Sequence, residues 1–213
     1  MGKKDIPSQQ LDAWQGDFGD AYVERNAPEP EIMEARRGMW REILAPLSDD
    51  PPTSIFEVGA NIGLNLRALG DLTDARLMAI EPNASARKRL IADDVLAADD
   101  IYDGVAQSID LPDGAADMVF TSGVLIHISP ADLGAACTEI HRISNKYIAC
   151  IEYFSDTPEE VRYRNQDGLL FKRDFGELWM NSFPTLSLVD YGFFWKRATG
   201  LDNLTWWVFR KNS

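Results

Sequence analysis

The sequence predicts a doubly wound α/β fold, in which helices cover both faces of a mostly parallel sheet. Short apolar segments alternate with amphipathic helical segments through the middle of the chain, and this alternation is typical of parallel sheets. The tail is aromatic-rich and β-prone instead. At 213 residues the chain is long enough for one domain with a buried core. We expect an N-terminal segment, residues 1–48, followed by the sheet-containing core, residues 49–213.

The apolar and amphipathic segments give approximate bounds for the elements. We predict strands at residues 54–58, 76–80, 104–107, 117–121 and 146–153, and helices at 64–70, 84–93 and 131–143. Ser129 and Pro130 place a capping hydroxyl and a proline at the start of the third of these helices, where both are favourable. In the tail, residues 186–194 and 204–211 flank the turn-like residues 199–203, which predicts a closing antiparallel hairpin.

The region before the first predicted strand has no strand pattern. Residues 11–26 are followed by a helical stretch that runs to about Leu44 and is ended by Pro46. We interpret this region as a helical lid over the carboxyl ends of the strands. The alternative is that its helices pack against the sheet.

The composition limits the possible partners. Lys and Arg total 21 against 34 for Asp and Glu, a formal net charge of −13, so the chain repels phosphate backbones and nucleic acid is not an expected partner. No apolar run approaches membrane-spanning length. Cys137 and Cys150 lie in apolar segments, which predicts buried free thiols and no zinc site. We therefore expect a soluble cytoplasmic enzyme that acts on a small molecule, without a metal, a membrane or nucleic acid.

A glycine-rich turn follows the first predicted strand and indicates a ligand site. Open α/β sheets bind ligands beyond the carboxyl ends of their strands. Gly59 and Gly63 allow a sharp change of direction and a close approach of the ligand, and Asn61 tolerates left-handed backbone geometry. The turn leads into a predicted helix whose N-terminal amides can receive a carboxylate.

The residues of the turn favour S-adenosylmethionine over a dinucleotide. The pyrophosphate fingerprint requires glycines in a G-x-G-x-x-G frame, whereas here Asn61 occupies the central glycine position and Gly63 falls one residue early. Glu57, within the strand, can pair with a cationic group such as the amino group of a methionine moiety. A dinucleotide has no amine that requires such a partner.

Residues after the next two predicted strands suit the nucleoside part of this cofactor. Glu81 lies about 20 positions beyond the turn, where an acid can accept both ribose hydroxyls; the alternative is that it caps a helix. Ile109 can pack on an adenine ring while Ser108 or Asp110 bonds the exocyclic amine. The alternative for Asp110 is that it only starts a turn.

These segments resemble the sequence motifs of class I S-adenosylmethionine-dependent methyltransferases. Residues 57–63 and 80–83 look like the first two motifs, and residues 117–120 with 123–128 look like the fourth. The resemblance covers roughly residues 50–153. It implies a Rossmann-like methyltransferase sheet with S-adenosylmethionine as the cofactor.

A narrower resemblance runs almost from end to end, to the methylases associated with pseudaminic acid biosynthesis. It is carried by Trp14, Tyr22 and residues 16–19, 25–26, 123–128, 152–154, 163–164 and 170–175. That family has a glycine after its Tyr-Arg pair, whereas this chain has Asn165. The resemblance implies the reaction, methyl transfer, more than it implies the acceptor.

The motifs and the resemblance together define a predicted cofactor site. Tyr22 and Arg25 are included because they can close over the methionine end of the cofactor, although packing is an alternative role for both. The predicted site consists of Tyr22, Arg25, Glu57, Gly59, Asn61, Gly63, Glu81, Pro82, Asn83, Ser108, Ile109 and Gly123.

The acceptor side is predicted from residues that follow the fourth and fifth strands. His127 lies beside the expected methyl group and is our candidate for a general base or an acceptor-orienting donor; the alternative is a bond to nearby backbone. Cationic groups in so acidic a chain suggest an anionic acceptor, with salt bridges to nearby acids as the alternative. The residues predicted to bind the substrate are Glu152, Tyr153, Tyr163, Arg164 and Lys172.

The sequence thus predicts a methyltransferase that acts by in-line methyl transfer on a small anionic acceptor, such as a sugar, a nucleotide sugar or an amino-acid-like metabolite. Two alternatives are a non-catalytic S-adenosylmethionine-binding regulator and a nicotinamide-dependent sugar-modifying enzyme. An intact site with a polar acceptor face disfavours the regulator, and Asn61 and Gly63 disfavour the nicotinamide enzyme.

Overall fold

The fold is built on a seven-stranded mixed sheet. The computed structural model describes residues 11, 14–164 and 167–212. In these residues the strands are β1 (Ser54–Val58), β2 (Arg76–Ile80), β3 (Ile101–Tyr102), β4 (Ala116–Ser122), β5 (Ser144–Glu152), β6 (Glu159–Glu160), β7 (Phe171–Lys172), β8 (Leu186–Phe194) and β9 (Leu204–Lys211). Strands β6 and β7 form a separate antiparallel pair.

Helices flank the sheet. In the described residues they are α1 (Asp17–Arg25), α2 (Pro30–Leu44), α3 (Leu64–Gly70), α4 (Ala84–Ala92), α5 (Leu133–Ile143), α6 (Phe175–Ser182) and α7 (Lys196–Thr199), with short 3-10 helices at Ala45–Leu47, Ala98–Asp100 and Leu125–His127. None of these helices has the length and the apolar character needed to cross a membrane.

The strand order determines where a crevice opens. The order across the sheet is β3-β2-β1-β4-β5-β9-β8. Strands β1 to β5 are parallel, β9 is antiparallel to β5, and β8 is antiparallel to β9. The direction of winding reverses between β1 and β4, so the loops that leave these two strands diverge and leave space between them. The predicted doubly wound sheet with a closing hairpin is confirmed.

The predicted strand at 104–107 is wrong. The third strand is β3, which pairs with the last two residues of β2. Residues 104–107 instead form a loop that is closed by a bridge between Val105 and Ser108. A short apolar run cannot be assigned from periodicity alone, and the apolar residues Val105 and Ala106 line the cleft described below.

Strand β9 is buried on both faces, which fixes its register. In β9, Trp207 and Phe209 pack in the apolar core beside α5 and α6, whereas Trp206 and Val208 pack in the core beside α2. A slip of one residue would exchange these two sets. The predicted bounds of the two hairpin strands agree with β8 and β9.

The N-terminal region has two parts with different positions. Helix α2 packs on the sheet, where the ring of Trp40 lies 4.5 Å from that of Phe120 on β4. The segment that contains α1 lies instead near the carboxyl ends of the strands. There, Asn83 Nδ2 donates to Trp14 O at 3.2 Å and to Asp20 Oδ1 at 3.0 Å. Helix α2 therefore packs against the sheet, as in the alternative interpretation, whereas α1 lies where a lid is expected.

Candidate active site

A cleft lies at the carboxyl ends of β1, β2 and β4, where the winding direction reverses. It holds about 1170 Å³ of empty space including its open mouth, enough for a ligand of cofactor size. Its walls are formed by Leu11, Trp14, Gly19, Tyr22, Asn26, Arg36, Glu57, Val58, Gly59, Ala60, Asn61, Ile62, Leu64, Asn65, Ile80, Glu81, Pro82, Asn83, Gly104, Val105, Ala106, Gln107, Ser122, Gly123, Val124, His127, Ile128 and Ser129.

The glycine-rich turn after β1 forms the floor of the cleft. Gly59 has φ 77° and Asn61 has φ 50°, both in the left-handed region. A β-carbon on Gly59 would lie 2.8 Å from Val124 Cγ2, because the loop after β4 crosses directly over it. Gly63, φ 75°, precedes α3 and faces Leu90 rather than the cleft. Gly63 therefore allows the chain to turn into α3 but does not itself line the cleft.

Glu57 belongs to a buried polar network at one end of the cleft. Asn65 Nδ2, on α3, donates to Glu57 Oε1 at 2.6 Å. Arg36 Nη1, on α2, donates to Asn65 Oδ1 at 2.5 Å, and Trp40 Nε1 donates to the same oxygen at 3.4 Å. Burial raises the pKa of Glu57 to about 8, against the opposing effects of the Asn65 hydrogen bond and the Arg36 charge.

Two atoms of this network, Glu57 Oε2 and Arg36 Nε, are buried and have no hydrogen-bond partner among the described residues. An ionised carboxylate oxygen can only accept hydrogen bonds, for example from an ammonium group, and a guanidinium N–H can only donate them, for example to a carboxylate. Leaving such groups unpaired in the interior is costly. An α-amino acid carries both complementary charges, so these residues fit the methionine moiety of S-adenosylmethionine.

Glu81 joins the turn after β1 to the loop after β2. Its Oε2 accepts from Asn61 N at 2.7 Å, and its Oε1 accepts from Asn83 N at 2.9 Å. Burial raises its pKa, while these two backbone hydrogen bonds lower it. The Asn83 side chain caps α4 by accepting from Ala86 N at 2.8 Å. Each carboxylate oxygen has a further lone pair that can accept a hydroxyl of a ribose.

The far end of the cleft differs from the sequence prediction. The residues that line it are 104–107, whereas Ser108 and Ile109 do not reach it. Ile109 is buried beneath, and its N–H donates to Glu139 Oε2 at 3.0 Å. Gln107 lines the cleft, whereas Ser108 does not.

His127 lies at the end of the 3-10 helix that follows β4, and it lines the cleft. Its Nδ1 lies 2.6 Å from the carbonyl oxygen of Leu169. A carbonyl can only accept, so Nδ1 carries the proton and Nε2 presents a lone pair. Burial lowers the pKa of His127 to about 4, and the ring is therefore neutral at physiological pH.

Aromatic rings surround His127 at the mouth of the cleft. The ring of Trp14 lies 4.9 Å from that of His127 and 5.4 Å from that of Tyr22. On the other side, the ring of Tyr163 lies 5.2 Å from that of His127. These rings bring the α1 segment and the loop after β6 together over the loop after β4.

Two arginines stack on the outer tyrosines of this group. The guanidinium of Arg25 lies 5.7 Å from the ring centre of Tyr22, and that of Arg164 lies 5.4 Å from the ring centre of Tyr163. Arg25 does not line the cleft, although it was predicted to bind the cofactor. Arg164 has φ 50°, an uncommon conformation for a residue other than glycine.

None of the five predicted substrate residues lines the cleft itself, and Tyr163 and Arg164 lie beside its mouth through the contacts just described. Glu152 is fully buried and accepts from backbone amides of the loop after β4. Tyr153 and Lys172 line a neighbouring surface groove. There, Tyr153 donates its hydroxyl to Asp202 Oδ2 at 2.9 Å, and Lys172 Nζ lies 3.7 Å from Glu159 Oε1.

Comparison with solved structures supports the same fold. The chain is similar to 1,6-didemethyltoxoflavin-N1-methyltransferase of Burkholderia thailandensis (16% identity, TM-score 0.71, covering 100% of this chain and 93% of the other). It is also similar to a SAM-dependent methyltransferase of Leishmania major (17%, 0.71, 96% and 87%) and to magnesium protoporphyrin IX methyltransferase of Synechocystis (10%, 0.65, 98% and 100%). At these identities the likeness concerns the fold.

Sequence comparison adds the activity. No curated protein matches the chain. Residues 56–147, which run from β1 into β5, match the methyltransferase domain family. These residues form a methyltransferase domain in a sheet with the Rossmann-like fold of class I methyltransferases, and the chain is an S-adenosylmethionine-dependent methyltransferase.

Several residues that line this methyltransferase site were not predicted from the sequence. Arg36 and Asn65 lie on helices, where a single polar residue is usually on the exposed face, and no motif includes them. Trp14 was noted only as part of a resemblance, and it lines the cleft beside His127. A signal for Arg36 did exist, because it belongs to the otherwise apolar side of α2.

The turn after β1 allows a direct test of the methyltransferase site. We expect Gly59→Val to abolish binding of S-adenosylhomocysteine, since its side chain would collide with Val124 and the φ of 77° is strained for valine. Calorimetric titration measures this. Gly38→Val is the matched control, because a β-carbon at Gly38 meets no atom within 4 Å. Normal binding by a folded Gly59→Val variant would mean that the ligand does not cross this turn.

Proposed function

We propose that the methyltransferase holds S-adenosylmethionine along the cleft, with its methionine moiety between Glu57 and Arg36 and its ribose on Glu81. The two unpaired buried atoms, Glu57 Oε2 and Arg36 Nε, are the observation that carries this proposal. The adenine would lie against residues 104–107, with Gln107 as the polar partner. The carboxyl-end position of the cleft, at the reversal of strand order, supports the same orientation.

Bound S-adenosylmethionine supplies an electrophilic methyl group for an in-line displacement. The protein then has to align the acceptor, exclude water and accommodate a proton. We propose that Trp14, Tyr22 and Tyr163 exclude water at the mouth of the cleft. Trp14 makes edge-to-face contacts with Tyr22 and His127, and Tyr163 makes a tilted contact with His127, which supports this role.

We propose that His127 orients the acceptor through Nε2. Its Nδ1–H is engaged by Leu169 O, so Nε2 can accept a hydrogen bond from an acceptor hydroxyl or amine. A pKa lowered to about 4 makes the ring a weak base, which favours alignment over full proton removal in the ground state. The lone pair of the nucleophile would then point towards the cofactor.

We propose a small acceptor that carries an anionic group, bound by Arg164 with help from Arg25. Among the described residues, neither arginine has a carboxylate within 4.0 Å, whereas Lys172 faces Glu159. Stacking on tyrosine leaves the N–H edges of a guanidinium free to bind a carboxylate or phosphate. Burial raises the pKa of the Tyr22 hydroxyl, and the charge of Arg164 is one of the effects that oppose this rise, so Arg164 lies close to Tyr22. Lys172 is the weaker candidate of the predicted pair.

Glu57 makes cofactor binding sensitive to pH. Its pKa of about 8 means that it is mostly protonated at neutral pH, and an ammonium group at Oε2 favours the ionised form. Binding of S-adenosylhomocysteine should therefore release close to one proton at pH 7, and affinity should rise as the pH rises from 6 towards 7.5. Calorimetry in buffers of different ionisation enthalpy measures the released proton.

Glu57→Gln isolates this effect, because glutamine keeps the shape and cannot ionise. We expect the variant to bind more weakly by about 1.5–3 kcal/mol and to release no proton. Glu42→Gln, on the exposed face of α2, is the control. Proton release that persists in Glu57→Gln would place the ammonium group elsewhere.

The acceptor can be found and the Arg164 proposal tested in one assay. Carboxylated sugars, nucleotide sugars and amino acids are screened for release of S-adenosylhomocysteine. With the acceptor identified, Arg164→Ala should raise its KM about 10- to 100-fold, as expected for one charged hydrogen bond, and leave S-adenosylhomocysteine affinity unchanged. Arg162→Ala, which removes an exposed arginine two residues earlier, should change neither. An acceptor without an anionic group would refute the proposal.

A further inference from the structure

Glu152 stands at the end of β5 with no solvent exposure. Its Oε1 accepts from Val124 N at 3.2 Å and from Leu125 N at 3.1 Å, and its Oε2 accepts from Ile126 N at 3.4 Å. One side chain thus binds three successive amides of the loop after β4. These amides begin the 3-10 helix that ends at His127, and the first amides of a helix have no partner within it.

The same loop is attached to β5 at a second point. Gly123 N donates to Ile151 O at 2.9 Å, continuing the ladder between β4 and β5 past the end of β4. Beyond Gly123 the ladder stops, and the carboxylate of Glu152 takes over its function. At the other end of the loop, His127 N donates to Val124 O at 2.9 Å and its ring binds Leu169 O.

We infer that Glu152 is a positioning residue, which holds the loop after β4 so that His127 presents Nε2 to the acceptor. The carboxylate does not reach the cleft and touches no reacting atom. Its effect passes through the backbone of residues 124–127 to the imidazole. The effect of Glu152 on catalysis rests on the proposed role of His127. Its effect on the orientation of the His127 ring does not, and this orientation can be measured without a substrate.

The surroundings of Glu152 make this contact depend on pH. Burial raises the pKa of Glu152 to about 7, against the opposing effect of its backbone hydrogen bonds. The polar and titratable groups packed around it are Thr121 on β4, Cys150 on β5 and Cys137 on α5, with Arg173 near Cys137. Burial raises the pKa of both thiols. As the pH falls through 7, Glu152 gains a proton and one of its oxygens becomes a poorer acceptor.

Nuclear magnetic resonance of ¹⁵N-labelled histidine tests the inference, because the chain has only two histidines, His127 and His141. In the wild type we expect His127 to show a single neutral tautomer with the proton on Nδ1. In Glu152→Gln, an amide replaces one acceptor oxygen, so the two ring nitrogens of His127 should shift towards each other as the tautomers mix. The signals of His141, which stacks on Phe183, should stay in place.

The controls separate positioning from loss of the fold and from loss of the cofactor site. Glu42→Gln should leave the His127 signals unchanged. The affinity of Glu152→Gln for S-adenosylhomocysteine should change by less than about threefold. Unchanged His127 signals in a folded Glu152→Gln variant would overturn the inference. Failure of the wild type to bind S-adenosylhomocysteine would instead refute the proposed function. It would leave unaffected the inference that Glu152 positions the ring of His127.

The wild type gives an independent test if Glu152→Gln does not fold. The imidazole of His127 does not titrate between pH 5.5 and 8, because its own pKa is lowered to about 4. A shift of its ¹⁵N signals with a midpoint near pH 7 is therefore expected from Glu152. Signals that stay constant over this range would overturn the inference.

Discussion

The carboxyl edge of this sheet is organised by buried carboxylates that must be satisfied. Glu57 in β1, Glu81 directly after β2 and Glu152 at the end of β5 are all almost fully buried, and burial raises the pKa of each. A buried charge is tolerated only with specific hydrogen-bond donors. Glu81 and Glu152 therefore fix the loops that supply their donors, whereas Glu57 is bound by Asn65 on α3.

The three carboxylates differ in what satisfies them, and this difference divides their functions. Glu152 uses both oxygens on backbone amides, which makes it structural. Glu81 also accepts from two amides, and it lines the cleft. In the part of the chain that the structure describes, one oxygen of Glu57 has no hydrogen-bond partner. Glu152 therefore stabilises a loop, whereas Glu57, with its unpaired oxygen, is the residue that we propose to bind the amino group of the cofactor.

Much of the fold could be predicted from the sequence because the signals are local and strong. Runs such as 54–58 and 204–211 are apolar, short and bounded by turn residues, so both became strands with the predicted bounds. The loop at 104–107 was mistaken for a strand because apolar residues that line a ligand cleft look like those of a buried strand.

The site could be predicted only where a motif carries it. The turn after β1 and Glu81 follow strands directly, so their place at the carboxyl edge follows from the topology. Arg36 could not be found in this way, because it enters the cleft from α2, about 20 residues before β1, through tertiary packing. For Glu152 the position at a strand end was right, but its side chain direction depends on which amides the neighbouring loop leaves unpaired.

The central claim is that the cleft recognises a zwitterionic amino-acid group joined to adenosine. Calorimetry with S-adenosylhomocysteine and with 5′-methylthioadenosine, which lacks the amino-acid end, tests it most directly, with NADH as a third ligand. Because Glu57 and Arg36 would each lose a charged hydrogen bond of about 1.5–3 kcal/mol, we expect methylthioadenosine to bind at least about 100-fold more weakly, and NADH not to bind. Equal affinities for the first two ligands, or tighter binding of NADH, would contradict the account.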